Sequence, residues 1–209
     1  MKIGRPSDKT WYDWISIFRS YGDRVRPCDI VLEIGASNTE RTMDLASRCD
    51  RVIGVELMPE RVPDPTFNVK YVAGDWQRLS GIIEPGSVDI AVANQVIEHV
   101  TDDLKALNEL YEVLKPGGMA LISTPNRKRL VRALVETFRP EREFPWWEHV
   151  REYTEEDFLA LLEASKFERW EIHPVVLGIH GGPVFVYLER VPERFRRFAN
   201  FWLVHLYKE

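Results

Sequence analysis

Cysteine is nearly absent from this chain. Cys28 and Cys49 are the only two in 209 residues and do not form a CxxC pair, so neither a disulfide framework nor a paired-thiol zinc or redox site is expected. Long hydrophobic runs are missing as well. No stretch approaches the roughly 20 apolar residues that span a bilayer, and the opening MKIGRPSDKTWYDW has no continuous apolar core of the secretory kind. Reduced thiols and no membrane segment together predict a cytoplasmic setting. Positive charge is not in excess either: the formal net charge is -5. Nonspecific nucleic-acid binding relies on clustered Lys and Arg to neutralise phosphates, so no nucleic-acid partner is expected. Internal repeats and low-complexity tracts are also lacking.

What is present is a chain 44% hydrophobic, enough for one domain over 1–209 that buries a full sheet between helical layers. From residue 30 to about 125, short apolar runs bounded by Gly, Pro and Asp alternate with segments of helical period, the signature of repeated βα units. Strands are predicted at 30–34, 51–55, 69–73, 88–93 and 118–124, most too apolar to expose either face. Between them fall a helix at 40–48, short connections near 59–66 and 77–83, and a helix at 102–114 for which Thr101 is a plausible cap. The expected fold is α/β, a doubly wound seven-stranded and mostly parallel sheet with helices on both faces. Strands at 168–177 and 183–189 complete it as an antiparallel C-terminal hairpin.

Three additions stand outside that core. Residues 8–21 read as an amphipathic helix, expected either to close over a ligand or to pack on the sheet. Segment 126–150 mixes Arg127, Lys128, Arg129 and Arg132 with prolines and the adjacent Trp146 and Trp147, as an insertion over an acceptor site would, before a helix at about 154–165 opened by Thr154. Residues 192–207, with a basic start and many aromatics, read as an amphipathic helix. It either packs on its own domain or supports peripheral membrane contact or a homodimer.

Open α/β sheets bind ligands at the carboxyl ends of their strands, and polar residues recur there. VLEIGASNTE ends a strand in Glu33 and a small-residue turn, Gly35, Ala36 and Ser37, whose amides suit an anionic group. Glu56, beside Leu57, closes the second strand and can accept both hydroxyls of a ribose. Gly74, Asp75 and Trp76 follow the third strand, where an acid could hold an adenine amine and the indole could cover its ring. Asn94 and Gln95 close the fourth.

This ordered series, followed by Leu114-Lys115-Pro116-Gly117-Gly118, resembles that of class I S-adenosylmethionine (SAM)-dependent methyltransferases over roughly residues 28–125. VDIAVANQVIEHV and LKPGGMALISTPN are similar to two of the family's segments, and EHVREYTEEDFLALLEASKF looks like the stretch after the fifth strand in its small-molecule, lipid and sugar-modifying branch. The resemblance implies a Rossmann-like fold and SAM as cofactor. Gly35 and its loop would contact the methionine portion, with Glu33 at its ammonium. Glu56 would meet the ribose, Asp75 and Trp76 the adenine, and Asn94 with Gln95 would border the transferring methyl. It further implies a small-molecule, glycan or lipid-linked acceptor, and His99 and His149 are the candidates for a base where the acceptor must lose a proton. Ser37 and Thr39 stand where the family usually has glycine; Thr39 could point away and cap the following helix.

Other readings remain beside this one. Glu33 and Glu56 could be strand-end acids that cap helices, and His99 could merely bond backbone. Ubiquinone-type O-methyltransferases resemble the Glu98-His99 segment and can hold a metal there, but the neutral Gln95 stands in place of their first acid, so no metal is expected. A dinucleotide-dependent oxidoreductase would also use a glycine turn with a downstream acid, though the third glycine of GxGxxG is missing. A noncatalytic SAM-binding protein would keep the donor residues alone. His173, His180 and His205 have no spacing that suggests a joint site and read as structural or solvated.

Overall fold

Val31, Leu32 and Ile34 are buried on consecutive turns of the pleat, which is possible only if both faces of their sheet are covered. The computed structural model, which describes residues 2–4, 24–138, 148–181 and 184–209, shows what covers them. After a short strand β1 (Lys2–Gly4), strands β2 (Ile30–Ile34), β3 (Arg51–Glu56), β4 (Val69–Ala73), β5 (Val88–Asn94) and β6 (Leu114–Pro125) run parallel in the order β4-β3-β2-β5-β6. Helix α1 (Thr39–Ala46) packs Leu45 and Ala46 against Val31, Val52, Ile90 and Val92 on one face. The opposite face, with Leu32, Ile34, Ala91 and Ile122, meets α2 (Asp103–Val113) through Leu107 and Leu110. A helix on each face is the doubly wound arrangement expected.

Local chemistry sets the helix ends. Asn38, not Thr39, caps α1 by accepting from the Arg41 amide, and Asp102, not Thr101, caps α2 by accepting from Lys105 at 3.0 Å. The connections after β3 and β4 tighten to 3-10 turns at Pro59–Arg61 and Trp76–Gly81. Beyond β6 come α3 (Leu130–Phe138) and α4 (Glu155–Ala164), the latter opened by a capping box between Thr154 and Asp157. Phe158 and Leu162 of α4 join the α2 core.

The C-terminal third corrects two expectations. β7 (Arg169–Val175) pairs not with the next strand but with β10 (Phe201–Tyr207), which lies between β6 and β7 and runs antiparallel to both. The antiparallel hairpin is therefore made of the sixth and seventh strands of the main sheet in chain order. β8 (Leu177–Gly181) and β9 (Val184–Leu188) instead form a small separate sheet with β1. The second correction concerns 192–207, which is no amphipathic helix: a 3-10 turn at Glu193–Phe198 precedes β10. Phe198, Trp202 and Leu206 fit a helical period, but Trp202 to Leu206 are buried without a break. A strand covered on both faces shows no period of two, so the pattern alone cannot separate it from a buried helix. The membrane or dimer contact expected through that helix has no helix to act through. Two asparagines lock the turn in place. Asn126 donates to the carbonyls of Arg197 and Ala199, and Asn200 accepts from the Gly178 amide.

Candidate active site

Parallel strands deliver their carboxyl ends to one edge of the sheet, and the order β3-β2-β5 places the topological switch between β2 and β5. Glu33, Gly35, Glu56, Asp75, Asn94 and Gln95 are brought to that edge.

The turn after β2 is built around Gly35. Its φ is +77°, a conformation disfavoured for residues with a Cβ, and a Cβ there would lie 2.7 Å from Val96 Cγ2. The Gly35 and Ala36 amides bond the Val55 carbonyl at 2.8 and 3.2 Å, pinning the loop to β3, and Ser37 is exposed beside them. Glu33 is buried in the sheet. Burial pushes its carboxyl up to about 7, against the opposing influence of the Thr42 hydroxyl and Arg41 charge. One of its oxygens, Oε2, has no hydrogen-bond partner among the described residues. A buried unpartnered acceptor is costly unless a donor arrives.

Glu56 is also buried at the end of β3 and accepts from the Met58 amide at 3.3 Å; Leu57, next to it, is well exposed. Gly74 returns its amide to the Glu56 carbonyl at 2.9 Å. Asp75 accepts from the Gln77 amide at 2.9 Å and from its side chain, so the carboxylate is held in a closed turn. Gln77, unremarked in the sequence, then accepts from the Thr101 hydroxyl and the Asp102 amide, joining this turn to the start of α2. Trp76 departs from its expected place. Its indole is 4% exposed and packs in the core with Leu79 and Ile83, rather than lying open beside Asp75.

After β5 the backbone bends sharply: Gln95 has φ +57°. Ser123 of β6 holds this corner. Its hydroxyl donates to Asn94 Oδ1 at 2.5 Å and accepts from Gln95 Nε2 at 3.1 Å, while its carbonyl accepts from the Gln95 amide.

The two candidate bases meet beyond that corner, though they are 50 positions apart. The rings of His99 and His149 stand edge to face at 4.9 Å. His99 Nδ1 lies 2.9 Å from the Glu148 carbonyl, which can only accept, so Nδ1 is the donor in this contact and Nε2 is the nitrogen left for other partners. His149 Nδ1 likewise faces Glu152 Oε1 at 3.1 Å. Glu152 is buried and meets Arg129 and Arg132 as well. Burial alone would raise its carboxyl, but hydrogen bonds from His149 and Arg129 and the two guanidinium charges bring it down to about 2. The basic run of 127–132 thus spends two of its charges inside the protein, and Lys128 reaches Glu156. Glu98, 1% exposed, accepts from the Thr124 hydroxyl at 3.1 Å, and burial pushes it up to about 8. Trp146, Trp147 and the helix expected at 8–21 lie outside the described residues.

A doubly wound sheet with acids at successive carboxyl ends and a glycine turn at the switch is a Rossmann-like architecture with a candidate ligand site at its carboxyl edge. Residues 32–122 match a family model described as a methyltransferase domain. A Mycolicibacterium smegmatis protein, named a probable S-adenosylmethionine-dependent methyltransferase, is 33% identical over 144 residues, which are 66% of this chain and 51% of that one. A SAM-dependent methyltransferase structure from Thermotoga maritima aligns with a TM-score of 0.64 at 19% identity, over 96% of this chain and 95% of that one. A Haemonchus contortus N-methyltransferase, solved with phosphomonomethylethanolamine and S-adenosylhomocysteine, aligns at 0.57 and 22% identity over 78% and 39% of the two chains. The chain spans about half the length of the curated relatives it matches. Residues 32–122 therefore carry a methyltransferase domain, similar to those of S-adenosylmethionine-dependent methyltransferases.

Proposed function

We propose that this chain uses S-adenosylmethionine to methylate a small-molecule, glycan or lipid-linked acceptor, with the His99–His149 pair receiving the proton where the acceptor group carries one. The observation that carries the donor half is Glu33 Oε2, a buried carboxylate oxygen without a partner among the described residues, beside the left-handed Gly35. The methionine ammonium would supply the missing donor, and its charge would favour the ionised carboxylate that burial now disfavours. Glu56 would accept from the ribose hydroxyls and Asp75 from the adenine amine. When bound, the cofactor supplies a sulfonium-activated methyl group open to in-line displacement. Gly35, Ala36 and Ser37 with Asn94 and Gln95 would hold the reacting centre, and such positioning accounts for much of the catalysis in this kind of transfer. Glu152 fixes His149 so that Nε2 is the available base and offsets the charge that forms on protonation. The described residues include no helix long and apolar enough to cross a membrane, and a cytoplasmic setting belongs to the same reading.

Calorimetric titration of SAM and S-adenosylhomocysteine into wild-type protein and Glu56→Ala tests the donor site. Micromolar binding that weakens at least about tenfold in the variant is expected, since one lost charged hydrogen-bonding group is worth about 1.5–3 kcal/mol. A folded wild-type protein that binds neither ligand would overturn the reading. One observation favours a variant of it: ligand atoms of Glu98, His99 and His149 lie within 4.8 Å of one another. Methyl transfer abolished by a chelator and restored by a divalent cation, in His173→Ala as in wild type, would make that cluster a metal site in place of a base.

A further inference from the structure

Strand pairing makes a second histidine cluster, on the far side of the sequence from the first. β7 and β10 run antiparallel with Glu171 opposite His205 and His173 opposite Leu203. Residues two apart on a strand share a face, and so do directly opposed residues, so Glu171, His173 and His205 project together from one side of the sheet. Their contacts are close. His173 Nε2 is 3.2 Å from Glu171 Oε2, His205 Nδ1 is 3.8 Å from the same oxygen, and the two imidazoles stand with centroids 4.7 Å apart.

The decisive member is His205. It is 5% exposed, and among the described residues neither ring nitrogen has a hydrogen-bond partner. A buried imidazole normally finds a partner for at least one nitrogen, and leaving both without one is costly. Nothing in the packing requires a histidine there: Leu203, two residues earlier on the same face, fills its place as a hydrocarbon.

We propose that Glu171, His173 and His205 form a site for a divalent transition-metal ion of the zinc class, which ties β7 to β10. Two imidazole nitrogens and a carboxylate are a common zinc donor set, and ligands at about 2.0–2.1 Å in tetrahedral geometry lie roughly 3.3 Å apart. The distances of 3.2 and 3.8 Å bracket that value. Tyr207 orients Glu171. The phenol accepts from Arg24 and donates to Glu171 Oε1 at 3.3 Å, turning Oε2 toward the two histidines. With the side chains of Glu171 and His173 43% and 45% exposed, a fourth position is open to water.

The test uses the full chain, stripped of metal and titrated with Zn(II) by calorimetry and with Co(II) by visible absorption. One equivalent of tight Zn(II) is expected, with Co(II) bands of low coordination number and a thermal midpoint that rises with Zn(II). His173→Ala and Glu171→Gln, both at half-exposed positions, should fold, bind at least tenfold more weakly and lose the thermal shift; His99→Ala should keep all three. Absence of Zn(II) binding by the wild-type protein would overturn the proposal. So would binding that survives His173→Ala and is lost in His99→Ala, which would place the ion at the other cluster.

Discussion

The parallel half of the sheet, β2 to β6, and the antiparallel edge, β7 and β10, differ in how their neighbours are specified. In the parallel half each strand lies beside a strand reached through one local βα unit or at the switch point, and its turn carries the chemistry that stops it: Asn38 after β2, Asp75 after β4, Asp102 before α2. The antiparallel edge depends on a strand that travels past β8 and β9 and then enters between β6 and β7. Local composition describes the first kind of neighbour well. The second kind is decided by which slot remains unfilled, a property of the assembled sheet.

If β10 is the keystone of that edge, its loss should cost more than any change at a helix end. Trp202 is fully buried, and its indole donates to the Tyr153 carbonyl at 3.3 Å. Trp202→Ala should lower the stability measured by denaturant unfolding by about 3–5 kcal/mol, the range for deleting a buried aromatic side chain. A loss under about 1 kcal/mol would mean that β10 only decorates the sheet, and the contrast between the halves would fall. That strand was the feature least legible in the sequence. The five parallel strands were placed within a few residues, because turn residues bracket them.

The site divides the same way. Residues that reach the carboxyl edge where their own strand ends, Glu33, Gly35, Glu56 and Asn94, could be placed there from position alone. Gln77, Ser123 and Glu152 could not, because each matters through a partner remote in sequence: Thr101, Asn94 and Arg129. Trp76 was misplaced for a related reason. An aromatic next to a strand-end acid suits a ring-stacking role, yet the 3-10 turn that Asp75 caps rotates the indole into the core. Pairing of His173 with His205 required the register of β10, which no spacing in the sequence encodes.

The buried acids give an intermediate effect with a definite sign. Glu98 is raised from 4.5 to about 8 by burial, so between those values the native state holds a proton that the unfolded chain has released. Stability from this group is complete below pH 4.5 and is lost as pH climbs toward 8. His205, lowered from 6.5 to about 4, acts oppositely and only below pH 6.5. The clean window is therefore pH 6.5 to 8. Glu98→Gln, a neutral isostere, should lose about 1–2 kcal/mol less than wild type across that window. Glu33 declines in both proteins and cancels from the difference. Parallel profiles would show that the Glu98 carboxyl is ionised in the folded protein, and would strengthen the metal variant of the active-site reading.

The smallest effect belongs to the helix that both halves share. α4 packs Phe158 and Leu162 into the parallel-sheet core and anchors Arg196 of the C-terminal turn through Glu155 at 2.7 Å. Its start is held by Thr154, whose hydroxyl accepts from the Asp157 amide at 3.1 Å while Asp157 accepts from the Thr154 amide. Thr154→Ala removes one arm of that box and should cost about 1 kcal/mol in thermal or denaturant unfolding. Because α4 touches both regions, the loss should appear in one cooperative transition. Two transitions, with the amide-exchange protection of β10 lost separately from that of α4, would mean that the antiparallel edge unfolds on its own, and that the capped helix stabilises only the parallel half.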